Sequence, residues 1–153
     1  NSKPNTPWGG GSQSAYGVAW SDTLSLWVGT GTGSNVPAYS YDGFNWTSGT
    51  LIGDGFANNY GPGVAWNGSY FIGLGRYTIL KSSDGINWSK SSNQPFSNGD
   101  AMNAVWNDSL SLWVAVASGG TNTIATSSDG ENWSGLGNNV LTSANGIGVG
   151  VIS

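Results

Sequence analysis

Ser40-Tyr41-Asp42-Gly43-Phe44-Asn45-Trp46 returns as Ser82-Ser83-Asp84-Gly85-Ile86-Asn87-Trp88 and again as Ser127-Ser128-Asp129-Gly130-Glu131-Asn132-Trp133. The aspartates stand 42 and then 45 residues apart. A period of that length is one supersecondary unit, and such units stack because one alone cannot bury its apolar face. Within the phrase, Asp accepts hydrogen bonds from backbone N–H groups ahead of it, and Gly supplies the positive φ of a tight hairpin. Ser is placed to cap the same turn, and Trp to fold back over it.

Working outward from each phrase, two apolar runs precede it. The first holds Val18-Ala19-Trp20, Val64-Ala65-Trp66 and Ala104-Val105-Trp106. The second holds Leu26-Trp27-Val28, Tyr70-Phe71-Ile72 and Leu112-Trp113-Val114. A third run leads into the phrase and a fourth starts at its Trp. All are short, rich in aromatic and β-branched residues, and bounded by Gly, Asn, Asp or Ser, which is a strand pattern. No window keeps apolar residues at helical spacing for three turns. Each repeat therefore reads as four antiparallel strands, A to D from the inside out. Four strands in roughly 43 residues is the arithmetic of a β-propeller blade. The expected fold is all-β, a β-propeller of four-stranded antiparallel blades, with three blades plus stray terminal strands in this chain.

The phrase resembles the Asp-box, the bacterial neuraminidase repeat of sialidases and other propellers, whose pattern is Ser-x-Asp-x-Gly-x-x-Trp. Here the residue between Asp and Gly is missing, so the turn is a shortened Ser-x-Asp-Gly-x-Asn-Trp. The chain is also similar to uncharacterised tandem Asp-Gly-x-Asn-Trp propeller repeats of large DNA viruses and microbes. The resemblance implies a fold and is nearly silent on activity. It casts Ser40, Asp42, Gly43 and Trp46, then Ser82, Asp84, Gly85 and Trp88, then Ser127, Asp129, Gly130 and Trp133, as structural turns.

The layout is a single propeller segment over 1–153, with blades at 14–50, 60–92 and 101–136. Ser143-Ala144-Asn145-Gly146-Ile147-Gly148 repeats Ser14-Ala15-Tyr16-Gly17-Val18-Ala19, so 143–153 reads as the inner strand of a further blade. Residues 7–10, Pro7-Trp8-Gly9-Gly10, look like a worn outer strand. Three blades and two stray strands do not close a ring. The expectation is either association with other copies of the chain or further blades of a longer one. A start at Asn1 suggests a mature form or a fragment.

Composition removes several functions. Net charge is −4, and Lys3, Arg76, Lys81 and Lys90 are the only cations, so neither a phosphate backbone nor an anionic membrane is a fitting partner. No run of apolar residues is long enough to span a bilayer, so membrane insertion is not expected. Without His or Cys there is no ordinary zinc site and no Ser-His or Cys-His nucleophile. Each Asp-Gly turn offers one carboxylate toward the several oxygens calcium requires. No cofactor is expected. A sialidase needs an arginine cluster and an acid; this chain has Arg76 alone and Glu131 inside a turn. Asp22 and Asp108 occupy equivalent A–B turns, which leaves Asp54 and Asp100 without an evident structural task. No enzyme is expected.

Nine Trp in this chain invite a sugar-binding reading, although most recur at repeat positions as blade-packing residues do. Residues that break the repeat on the loops are better candidates. B–C and D–A loops share one end of a propeller, so Asn58, Asn59 and Tyr60 should meet Arg76 and Tyr77 there, as a polar-ligand site. Asn-x-Ser/Thr sequons at Asn45, Asn67, Asn87, Asn107 and Asn132 are candidate glycosylation sites, clustered toward the opposite rim. The expected function is a non-enzymatic binding or adhesion module, extracellular or on a particle surface, for carbohydrate or glycoprotein. The alternative is a self-assembling structural subunit of a surface layer, fibre or virion. A multivalent lectin repeats its contact residues in every blade, and the loops here differ.

Overall fold

The computed structural model describes residues 14–33, 37–53 and 60–148. The worn strand at 7–10 and the loop residues Asn58 and Asn59 lie outside these. In the first repeat β1 (Ala15–Ser21), β2 (Leu26–Gly31), β3 (Ala38–Ser40) and β4 (Thr47–Ser48) lie side by side in chain order. The third repeats this with β10 (Asp100–Asn107), β11 (Leu112–Ser118), β12 (Ile124–Ser127) and β13 (Ser134–Gly135). In both sheets every neighbouring pair is antiparallel.

The second sheet has β6 (Gly63–Trp66), β7 (Phe71–Gly75), β8 (Thr78–Ser82) and β9 (Asn87–Lys90), again antiparallel. It also carries a fifth strand. β5 (Thr50–Ile52) leaves the first blade and pairs in parallel with β9, with Leu51 opposite Trp88. The crossing happens between two residues. The Gly49 N–H still donates to Pro37 O of its own blade at 2.8 Å, and the Thr50 N–H donates to Ile86 O of the next at 2.7 Å. The first blade therefore ends one residue before the boundary expected at 50.

The strand pattern places one aromatic at the end of each inner strand opposite another at the start of its neighbour: Trp20 with Trp27, Trp66 with Phe71, Trp106 with Trp113. Their ring centroids are 4.9, 4.4 and 5.5 Å apart, at or near the contact range in which aromatic pairs attract. The core divides into two clusters, one at each junction between blades. Leu26 and Val28 of the first blade meet Val64, Phe71, Leu80 and Trp88 of the second. Ile72, Leu74 and Ile79 meet Ala104, Trp113, Ala115, Ala125 and Trp133 of the third. Inner strand β6 lies beside both β1 and β10. That approach is close enough that a Cβ on Gly63 would stand 2.7 Å from Met102 O, so only glycine fits.

The tail behaves differently from its sequence. Residues 143–148 form no strand, although Ala144 N–H donates to Ala117 O at 3.0 Å as Gly61 N–H does to Gly31 O at 2.7 Å. The tail thus leaves the third blade by the same bond that begins the crossing at Gly61, and the rest of the expected strand, 149–153, lies outside the described residues. No helix among the described residues is long and apolar enough to cross a membrane.

Candidate functional site

The three phrases fold alike. Ser Oγ accepts the Gly N–H at 2.9, 2.8 and 2.9 Å. Asp Oδ1 accepts two successive backbone N–H groups, from Phe44 and Asn45, Ile86 and Asn87, or Glu131 and Asn132. The Trp indole N–H donates to the Gly carbonyl at 3.1 Å each time. Asn adds a bond that the phrase does not advertise: its Nδ2 donates to Asp Oδ2 at 2.8 Å in every repeat. Hydrogen bonds to the ionised form lower a carboxyl pKa. The Asn45 N–H and carboxamide hold Asp42 well below the ordinary carboxylate range, and the Asn132 carboxamide and N–H do the same for Asp129. Burial pushes Asp84 up, yet the bonds from Asn87 and Ile86 outweigh it and keep that group lowered too.

These turns also join blades. Gly85 has φ +73°, and a Cβ there would lie 2.6 Å from Leu26 Cδ2 and 2.8 Å from Val28 Cγ2 of the preceding blade. Gly130, at φ +72°, would meet Tyr70 and Ile72 at 2.6 and 2.9 Å. The second blade then clasps the third turn from outside. Lys81 Nζ donates to Asp129 O at 2.9 Å and Ser91 Oγ to Gly130 O at 2.7 Å. The Asn93 carboxamide exchanges both of its bonds with the backbone of Trp133, standing in for a paired strand.

The registers put Trp20 opposite Trp27 and Trp27 opposite Ser40, so the A–B turns share one end of the blades with the Asp-Gly turns. At this end the repeat breaks. Six positions separate Trp20 from Leu26 and Trp106 from Leu112, but only four separate Trp66 from Tyr70. The short Asn67-Gly68-Ser69 turn leaves a notch between its taller neighbours. The notch is an open pocket of about 390 Å³, floored by Ala65 and Trp66 and walled by Asp22 on one side and Val105, Trp106 and Asp108 on the other.

The polar groups around the notch are oriented. Trp20 Nε1 donates to Asp22 Oδ1 at 2.6 Å, and Trp106 Nε1 to Asp108 Oδ1 at 2.8 Å. Gly68 stands where those aspartates stand, so no carboxylate on its own turn takes the Trp66 N–H. Asn67 Oδ1 accepts from the backbone of Ser69 and Tyr70 at 3.0 and 2.9 Å, which leaves its Nδ2 outside the turn. The pocket thus combines indole surface, carboxylate acceptors and an amide donor, with no cation in its lining. Sequence reasoning treated Asp22 and Asp108 as turn residues only; the two-residue shortening between them was the available signal.

At the opposite end, Tyr60, Arg76 and Tyr77 do come together. The Arg76 N–H donates to Tyr60 O at 3.3 Å, and the guanidinium sits 5.5 Å from the Tyr77 ring centroid. Tyr77 takes φ +57° and is exposed. The Tyr60 ring meets Tyr16 edge-on at 5.8 Å, and burial pushes its phenol pKa up. Arg76 is paired as well: its Nε donates to Asp100 Oδ1 at 3.2 Å and that bond raises its pKa. Asp100, expected to lack a structural task, is the partner of this guanidinium. Asp54 lies outside the described residues. Among the described residues no cluster of acids could hold a metal ion.

No protein-family model and no curated protein matches the chain. Among solved structures it resembles the crystal structure of a nidogen/laminin complex, with a TM-score of 0.55 and 17% identity over 80% of this chain and 47% of that one. A β-fructofuranosidase from Schwanniomyces occidentalis complexed with fructosyl-erythritol matches with a TM-score of 0.48 and 17% identity, over 81% of this chain and 33% of that one. The chain spans less than half the length of either. Sheet order, junction packing and the nidogen/laminin likeness agree on one architecture: the chain is a β-propeller segment of three four-stranded antiparallel blades.

Proposed function

We propose that this chain is a non-enzymatic binding module whose end pocket takes a neutral carbohydrate, free or on a glycoprotein, in an extracellular or particle-surface setting. The observation that carries the reading is the notch over the short Asn67-Gly68-Ser69 turn, where Asp22 and Asp108 lock indole rings and keep a second oxygen for a ligand. The C–H face of a sugar stacks on an indole, and its hydroxyls donate to carboxylates and accept from an amide. The acidic lining disfavours anionic sugars, so the Asp-box likeness of the turns speaks for a fold and not for sialic acid. Glycoside hydrolysis needs a protonated carboxyl on one side of the bond and an ionised one on the other. Here both carboxylates accept indole N–H groups, which is a positioning task.

The test is a glycan array followed by titration of a neutral oligosaccharide, read by tryptophan fluorescence. Asp22→Ala and Asp108→Ala alter exposed side chains and should each weaken binding about tenfold, which is the loss of roughly one good hydrogen bond to a charged group. Binding that ignores both substitutions, or no neutral glycan bound at all, would overturn the reading and favour a purely structural subunit.

A further inference from the structure

The two internal junctions share one design. The Asp-Gly turn of each blade plugs into a socket on the preceding blade, formed by the first and third residues of its second apolar run. Gly85 enters between Leu26 and Val28, and Gly130 between Tyr70 and Ile72. The residue after the glycine completes the plug. Ile86 packs into the first junction, and Glu131 pairs with Lys81 at 3.5 Å across the second.

The same design leaves one plug and one socket unpaired among the described residues. In the first blade Gly43 has nearly the same φ, +75°, yet among the described residues its Cβ would meet nothing nearer than Trp27 Nε1 of its own blade at 3.8 Å. Phe44, in the place of Ile86 and Glu131, is 69% exposed, and Trp27, whose counterparts Phe71 and Trp113 are fully buried, is 36% exposed. At the other side of the segment the socket positions are Leu112 and Val114, both half-buried, and Leu136, just past the outer strand of the same blade, is exposed.

We infer that the Asp42-Gly43-Phe44 turn of one copy of this chain seats in the Leu112/Val114 socket of a second copy, continuing the internal junction across chains. Plug and socket match in chemistry: an apolar Phe44 faces apolar Leu112 and Val114, as Ile86 packs against the apolar first junction, whereas Glu131 at the second meets Lys81. Each copy carries one plug and one socket, so the contact is head to tail, and such contacts make rings where the rotation closes.

The experiment is light scattering and sedimentation on the full chain at micromolar concentration, with Phe44→Asp as a plug variant and Val114→Lys as a socket variant. The parent should run at about twice its 15.7 kDa mass. Each variant alone should raise the dissociation constant about tenfold or more, as burying a charge at the centre of an interface does. Mixed together they should associate again, since one keeps a working socket and the other a working plug. A misfolded variant cannot give that complementation. A monomeric parent, an assembly indifferent to both changes, or variants that stay apart on mixing would overturn the inference, whatever the glycan result.

Discussion

Gly43 and Gly85 occupy the same place in the same turn, and alanine at each should separate backbone strain from contact between blades. Their φ values are +75° and +73°, so a Cβ meets the same left-handed penalty at both, about 1–2 kcal/mol. Their surroundings differ. At position 43 the new methyl finds nothing among the described residues closer than 3.8 Å, while at position 85 it lands 2.6 Å from Leu26, 2.8 Å from Val28 and 3.0 Å from Phe71, all buried. Forcing a methyl into such a core costs a further 1–3 kcal/mol or about that. Gly85→Ala should therefore lose about 2–5 kcal/mol against about 1–2 for Gly43→Ala. Urea unfolding followed by tryptophan emission measures both, and in a chain of 153 residues each kcal/mol lowers the melting temperature by roughly 2–4 °C. Measured below the concentration at which copies associate, equal losses at the two positions would show that the Gly85 turn does not join blades.

Three other predictions follow from the turns. Asp42, Asp84 and Asp129 have carboxyls lowered in the fold, so the stability they contribute is complete above the unfolded value near pH 4 and is lost as pH falls toward the folded values; the melting temperature should hold from neutral pH to about 5 and drop below about 4, and a flat profile through that lower range would contradict the bonding described. Ser111 sits at φ +49° in an exposed A–B turn, so Ser111→Gly should stabilise by about 1 kcal/mol in urea unfolding, and a loss would mean that the serine does more than close the turn. When the chain passes through a secretory host, Asn107, whose oxygen and not nitrogen holds its turn, should carry a glycan without loss of melting temperature; a glycan at Asn87 or Asn132 draws on the Nδ2 that binds Asp84 or Asp129, and full occupancy there in an equally stable protein would refute this division.

Much of the blade was legible because its chemistry is local. Within seven residues, Ser82 Oγ, the Asp84 carboxylate, the positive φ of Gly85 and the Trp88 indole close one hairpin, and no distant atom is needed to set it. The Asn87 bond to Asp84 was equally local and went unread, because a sequon at the same position offered a competing explanation. The polar cluster at the other end was half legible. Adjacency of Tyr60, Arg76 and Tyr77 followed from loop order, but the partner that neutralises Arg76 is Asp100, which the chain delivers from the next connection.

By itself, then, the sequence determined the hairpin, the strand order within a blade and the alternation that gives every blade two apolar faces. Only the tertiary structure decided what each face meets. That Gly85 fills a socket between Leu26 and Val28, that the chain changes blades at Gly49, and that Asp22 and Asp108 flank one notch are contacts between repeats. Their distances depend on how one sheet is set against the next, and that setting is a property of packed side chains from several repeats together, which no seven-residue phrase contains.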